Sequence, residues 1–252
     1  MKLYSPASIN RFRNSFLFLI ILIPLNGGSV LAQQRLSRHY PAGKDVRLEL
    51  RNLSGTITVE TWAKDEIRIT ADVESRKATF NPRQTETGGL VIDVVGDNRG
   101  RDIGDVNFKI QLPVRSSVDL ETRSGQISVT NVQGELVRAH IWTSGDITLA
   151  NINAVRVFAT NTSGDIYFDG EFARGGTYEF KSGKGNITLR LPANCGFRLV
   201  ATAPTKSIKM GPFWHDGMKT MGEGRRIIGD VGDGRSSVTV TDYQGTINFL
   251  RR

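Results

Sequence analysis

Apolar and polar positions alternate in short runs along most of the chain. Val46, Leu48 and Leu50 make one run, Ile67, Ile69, Ala71 and Val73 another, and Val106, Phe108, Ile110 and Leu112 a third. Successive side chains of an extended strand point to opposite faces, so each run predicts a half-buried β-strand. Turn-forming residues at 62–65 and 97–104 and a polar stretch at 80–89 separate the runs, with a strand expected over 90–95. No helical period stands out beyond the first 32 residues, so the expectation is an all-β chain.

Between residues 116 and 191 the alternation becomes periodic. Ser-Gly occurs at 124–125, 144–145, 163–164 and 182–183, with glycine spacings of 20, 19 and 19 residues. An apolar pair follows each time: Ile127/Val129, Ile147/Leu149, Ile166/Phe168 and Ile187/Leu189. A period near twenty residues marks a solenoid, in which one coil cannot bury its apolar face alone and stacked coils can. Gly and Ser suit a tight corner, through positive φ and local hydrogen bonding respectively. Coils stacked about 4.8 Å apart would align Ile127, Ile147, Ile166 and Ile187 in a dry column. The predicted fold is therefore a β-solenoid, parallel β-helix-like, with coils of about 20 residues and a strand-rich N-terminal portion.

Several details refine that picture. Asn52-Leu-Ser-Gly55 followed by Ile57 and Val59 shows the unit near the start of the chain. Val137, Ala139 and Ile141 run one residue out of phase before Ser144, which a β-bulge or a longer corner would absorb. Leu112-Pro113 and Leu191-Pro192 each precede an alternating strand by the same distance, the two copies lying 79 residues apart. Ile208 and Met210 keep the inward pair, but Lys206 stands where a glycine is expected. Residues 211–226 interrupt the ladder, which resumes at Val238, Val240, Ile247 and Phe249. The terminal Arg251-Arg252 suits a last rung whose open edge is guarded by charge.

Residues 1–32 read as a secretory signal peptide. Lys2, Arg11 and Arg13 supply a basic start, residues 16–25 an apolar stretch, and Val30-Leu31-Ala32 a small-residue cleavage site. That apolar stretch is shorter than the roughly 20 residues of a spanning helix, and no later stretch would cross a bilayer. An uncleaved anchor is the other reading of this segment. Residues 33–43 are expected as a short linker and 44–252 as a single solenoid domain. The chain would be exported, to the periplasm, the cell surface or beyond.

The net charge of +8 falls to +5 without those three cations, and the excess is spread along the chain. That reads as solvated charge on outward strand positions, and no motif points to nucleic acid. Cys195 is the only cysteine, so no internal disulfide is possible.

Taken together, Asn52-Leu-Ser-Gly-Thr-Ile-Thr-Val59, Trp62-x-Lys-Asp-x-Ile67, Ser-Gly-Asp-Ile, Leu-Pro before an alternating strand and a final Gly-Thr-Ile strand carry a resemblance. The chain resembles the bacterial "putative adhesin" family, a domain of unknown function in exported and membrane-attached envelope proteins, over roughly residues 44–250. The resemblance implies the solenoid fold and an envelope role. It brings no catalytic or binding residues with it.

Candidate chemistry is sparse. Asp146 and Asp165 follow glycine in consecutive repeats and suggest either a calcium ladder or corner hydrogen bonds; Gln126 and Asn186 at comparable positions favour the latter. His39, His140 and His215 lack metal-ligand spacing, no nucleophile-elbow motif is present, and residues 229–234 lack the Gly-Lys-Ser/Thr of a phosphate loop. Nothing implies a cofactor. The candidate binding residues are Trp214, His215, Asp216 and Glu223, in the longest break of the repeat, although aromatics there could equally cap the core. The function these observations favour is a non-enzymatic adhesin-like envelope protein that binds a surface, glycan or protein partner. A carbohydrate-active β-helix enzyme and a structural protein assembling end to end are the alternatives.

Overall fold

The alternating segments stack as rungs, each made of one strand in each of two sheets. The computed structural model describes Met1 and residues 34–75, 78–99 and 101–252. Among these, the first sheet runs in spatial order Gln34–Pro41, Glu66–Val73, Val106–Pro113, Ile57–Trp62, Ile127–Thr130, Ile147–Ile152, Ile166–Gly170, Ile187–Leu191, Ile247–Arg251 and Ile208–Lys209. The second runs Arg83–Gln84, Leu90–Asp93, Arg47–Ser54, Ser117–Ser124, Leu136–Ser144, Arg156–Ser163, Thr177–Ser182, Ser236–Asp242, Phe197–Thr202, Arg226–Val231 and Lys219–Met221. Pairing is parallel through the middle of both sheets; it is antiparallel at both ends of the second sheet and at the Gln34–Pro41 end of the first, whose other end, Ile208–Lys209, pairs parallel.

The isoleucine column exists. Ile127, Ile147, Ile166 and Ile187 are in register and at most 1% exposed, and Ile57 and Ile247 extend the row in either direction. The second inward column is Ile110, Val59, Val129, Leu149, Phe168, Leu189 and Phe249, also buried. Facing them, the other sheet contributes Leu50, Leu120, Ala139, Ala159, Phe180 and Val240 in register. Small residues in the middle rungs give way to Phe168, Phe172, Tyr178, Phe180 and Phe197, whose rings pack 4.3–5.6 Å apart in successive pairs. Burying aromatic surface on this scale dominates the energetics of that half of the core.

The corners are built as the repeat implies, with one correction. The glycine that stacks in the fourth coil is Gly185, not Gly183: Ser182 is in register with Asn161, so Gly183 falls opposite Thr162, and Gly185 keeps the two-residue distance to Ile187 seen from Gly145 to Ile147. Gly55, Gly125, Gly145, Gly164, Gly185 and Gly245 form a continuous column in which each successive backbone lies against the carbonyl of the one before. Lys206 takes the matching place before Ile208 with φ +60°, in the terminal rung. Beside the column, Asp146 Oδ1 accepts the Asp165 N–H at 2.8 Å, and Asp165 Oδ1 accepts the Asn186 N–H at 2.7 Å. The stacked carboxylates therefore serve as corner acceptors. Among the described residues, no group of three or more His, Cys, Asp or Glu is placed to hold a metal ion.

Rung order departs from chain order at both ends. The N-terminal rung, 47–62, lies between the rung of 90–113 and that of 117–130. The C-terminal rung, 236–251, lies between those of 177–191 and 197–209. The expectation that Arg251-Arg252 guards an open edge is thereby corrected. The last strand pairs on both sides, with Ile187–Leu191 and with Ile208–Lys209. The two Leu-Pro copies mark the places where the chain steps over a rung that is filled by a chain terminus.

Other expectations shift locally. The segment 33–43, expected as a linker, carries the strand Gln34–Pro41, paired antiparallel with Glu66–Val73 along its length. Leu36 and Tyr40 pack against the core, and so few inward residues left no readable pattern. The strand expected over 90–95 stops at Asp93, whose carboxylate accepts the Gly96 N–H at 2.9 Å and caps a short helix, Val94–Asn98. The phase slip before Ser144 is a bulge in register between Ile141 and Ser144. The leader expected over 1–32 lies outside the described residues apart from Met1. No helix among the described residues is long and apolar enough to cross a membrane.

Candidate binding surface at the end of the stack

Past Ile208–Lys209 the chain leaves the ladder and covers its end. Gly211, at φ +50°, starts a 3₁₀ turn, Gly211–Phe213, where a side chain would press on the Phe249 carbonyl. The turn drives Phe213 inward. Its ring lies 6.1 Å from that of Phe197 and 6.5 Å from that of Phe249, and the residue is 5% exposed. Met218 and Ile227 are buried beside the same core. Phe213 is thus a core cap, one of the two roles the sequence left open for this loop.

Trp214 behaves differently. One residue on, in extended backbone, it is 48% exposed. It borders an open groove of ≈ 390 Å³ that is also lined by Lys206, Ile208, Met210, Thr220 and Ile227. His215 has both ring nitrogens engaged by backbone. Nδ1 accepts the Gly217 N–H at 3.1 Å, so Nε2 carries the proton and donates to the Asp230 carbonyl at 2.6 Å. It holds the loop to the hairpin strand. Asp216 is exposed in the turn that follows, and Glu223, at φ +56°, sits in the turn joining Lys219–Met221 to Arg226–Val231. The hairpin arm separates these carboxylates. His215 and Asp216 lie at the end next to Asp230, and Glu223 lies at the other, where its neighbour Gly224 lines the Trp214 groove together with Lys206.

Elsewhere, reactive groups are quiet. Burial pushes the Cys195 thiol up to about 11, which keeps it protonated at neutral pH and a poor nucleophile. Burial likewise raises Tyr178 to about 12; its hydroxyl donates to the Ala154 carbonyl at 2.7 Å and accepts the Ala173 N–H at 2.6 Å. Two exposed aromatics, Trp142 in the second sheet and Tyr243 in the bend just past the strand Ser236–Asp242, escape the sequence pattern. The phase slip before Ser144 was the signal that a side chain there is re-aimed.

Glycine-cornered rungs, an unbroken apolar column and a looped end define a β-solenoid that presents its chemistry on faces and caps. The chain belongs to the Toastrack DUF4097 family, whose pattern matches residues 34–249. Among solved structures, the chain is similar to a "putative cell adhesion protein" from Clostridium sporogenes, with 13% identity, 87% of this chain and 100% of the other covered, and a TM-score of 0.49. It is also similar to a "putative adhesin" from Bacteroides fragilis, with 12% identity, 87% and 99% covered, and a TM-score of 0.39. No curated protein matches it.

Proposed function

We propose that the protein is an exported, adhesin-like envelope protein that binds a partner through the loop at the end of its stack, without catalysing a reaction. The observation that carries this reading is Trp214: half exposed beside a groove, while its neighbour Phe213 is locked in the core. A large aromatic held at the surface by a rigid cap gives contact area at little entropic cost, as in interaction hot spots. In this reading Trp214 is the anchor, His215 fixes the loop, and Asp216 and Glu223 supply charge on either side. Export rests on the leader composition of residues 1–32.

The test is capture of isolated envelope fractions by purified residues 33–252, with Trp214→Ala beside the unaltered chain. Retention should fall at least tenfold in the variant, with an unchanged circular dichroism spectrum. Equal retention by both, or no retention by either, would remove the loop from the binding role. Export is read separately, by fusing residues 1–32 to a reporter active only outside the cytoplasm.

A further inference from the structure

The bulge in Leu136–Ser144 does more than restore register. It turns Trp142 and Thr143 out of the sheet together, and Trp142 is 56% exposed. Its indole N–H donates to the Glu121 carboxylate on the neighbouring strand. Its ring lies 4.4 Å from that of His140, tilted by 33°. Those two contacts fix the ring's orientation and use its only donor, so what Trp142 has left to offer is an aromatic face.

The register places a platform beside it. Thr162 donates its hydroxyl to the Trp142 carbonyl at 2.8 Å, Gly183 N–H bonds the Asn161 carbonyl, and Tyr243 N–H bonds the Ser182 carbonyl. Trp142, Thr162, Gly183 and Tyr243 therefore form one row across four rungs. Tyr243 is 60% exposed, with the Lys181 ammonium 5.7 Å from its ring centroid. The end rings are three rungs apart, about 14 Å. Between them lie a small hydroxyl side chain and a glycine, so nothing bulky interrupts the surface. The adjacent row, Glu121, His140, Thr160 and Lys181, is in register and supplies acceptors and donors. Burial lowers the His140 pKa, with Glu121 opposing, which favours the neutral imidazole.

We propose that this strip is a saccharide-binding site, distinct from the cap surface, that takes a short linear neutral oligosaccharide along the row from Trp142 to Tyr243. Sugar rings present an apolar face of C–H groups and a rim of hydroxyls. Two exposed aromatic faces separated by a flat gap match the first, and a flanking row of carboxylate, imidazole, hydroxyl and ammonium matches the second. An apolar peptide would find no continuous groove here. The Glu121 carboxylate beside the principal ring is paired with the Arg51 guanidinium at 3.9 Å, which balances its charge.

The experiment titrates purified residues 33–252 with chitotetraose, cellotetraose and maltotetraose, read by calorimetry and by tryptophan fluorescence. At least one should bind and perturb the emission. Trp142→Ala should weaken that binding at least tenfold and Tyr243→Ala severalfold, while Leu250→Ala, on the outer face of the other sheet, keeps it. Both key residues are exposed, and an unchanged melting temperature shows that the variants fold. If no saccharide binds, or if binding survives Trp142→Ala, the proposal is wrong. Envelope capture that depends on Trp214 is read in a separate assay, so either surface can fail alone.

Discussion

A methyl group at Gly145 has nowhere to go. With φ at +146°, its Cβ would fall on the Gly125 carbonyl oxygen, and that carbonyl belongs to a backbone that cannot rotate away. Gly145→Ala should cost about 3 kcal/mol or more, from backbone strain plus the collision. Gly43→Ala, where no atom lies within 4 Å, should be nearly neutral. Urea melts of the two variants compare them directly, and equal midpoints would refute the stacked-corner account. The polar end of the core makes a second residue-scale prediction. Asp242 is 2% exposed, and its Oδ1 accepts the Gln244 N–H at 3.0 Å. Burial raises its pKa, and the Asp165 charge adds to the rise. A carboxyl whose folded pKa exceeds its unfolded value favours folding while protonated. That contribution is complete below the unfolded pKa and is lost as pH climbs through the folded one. Asp242→Asn should thus leave the melting temperature little changed at about pH 3 and raise it at neutral pH. A variant-minus-parent difference that is the same at both pH values would contradict it.

At the scale of elements, order along the chain and order in the stack diverge, and this limits what the sequence could reveal. The repeat announces itself because a corner glycine and two inward side chains recur with each coil; burial and register follow from local spacing. Which rung neighbours which does not. Gly55-Thr-Ile57 and Gly245-Thr-Ile247 carry the same unit as their neighbours, so nothing local says that each slots between two later or earlier coils. The Leu-Pro copies record the two steps over a rung, yet their meaning appears only once the filling strand is placed. The site was legible to a similar degree. The break at 211–226 marked the cap, but separating Phe213 inside from Trp214 outside required the 3₁₀ turn. Interleaving has a measurable consequence. Deleting 236–252 removes an internal rung, stripping each neighbour of its partner on that side, and should abolish cooperative unfolding. Deleting 34–41 removes a strand paired on one side only and should lower the melting temperature while preserving a single transition. Thermal melts by circular dichroism distinguish these outcomes. A cooperative melt from the C-terminal deletion would mean that the last strands are not integral to the stack.

For the whole molecule, the question is why a stack of parallel rungs stops instead of recruiting further copies. Open edges invite strand addition, and proteins limit it with short strands, charge, proline and antiparallel covers. Among the described residues, each of the four sheet edges has such a device. Ile208–Lys209 and Arg83–Gln84 are two residues long, and Lys219–Met221 is three. Gln34–Pro41 is longer, at eight residues, and it carries Arg35, Arg38 and His39 and ends on a proline, which lacks an N–H. Arg35 is tied to Asp72 across the pair at 2.7 Å, so part of this charge is balanced within the molecule. Arg38 then becomes the main electrostatic guard of the one edge long enough to template a partner strand. Residues 33–252 should accordingly run as a monomer by light scattering at all soluble concentrations. Arg38→Val, which trades the charge for a strong strand former, should introduce concentration-dependent self-association, while Arg38→Lys should not. A monomeric Arg38→Val protein would show that edge length and proline suffice without charge. End-to-end association of the unaltered chain would show that the edges are not closed at all, and would turn the stack from a scaffold into a subunit of a fibre.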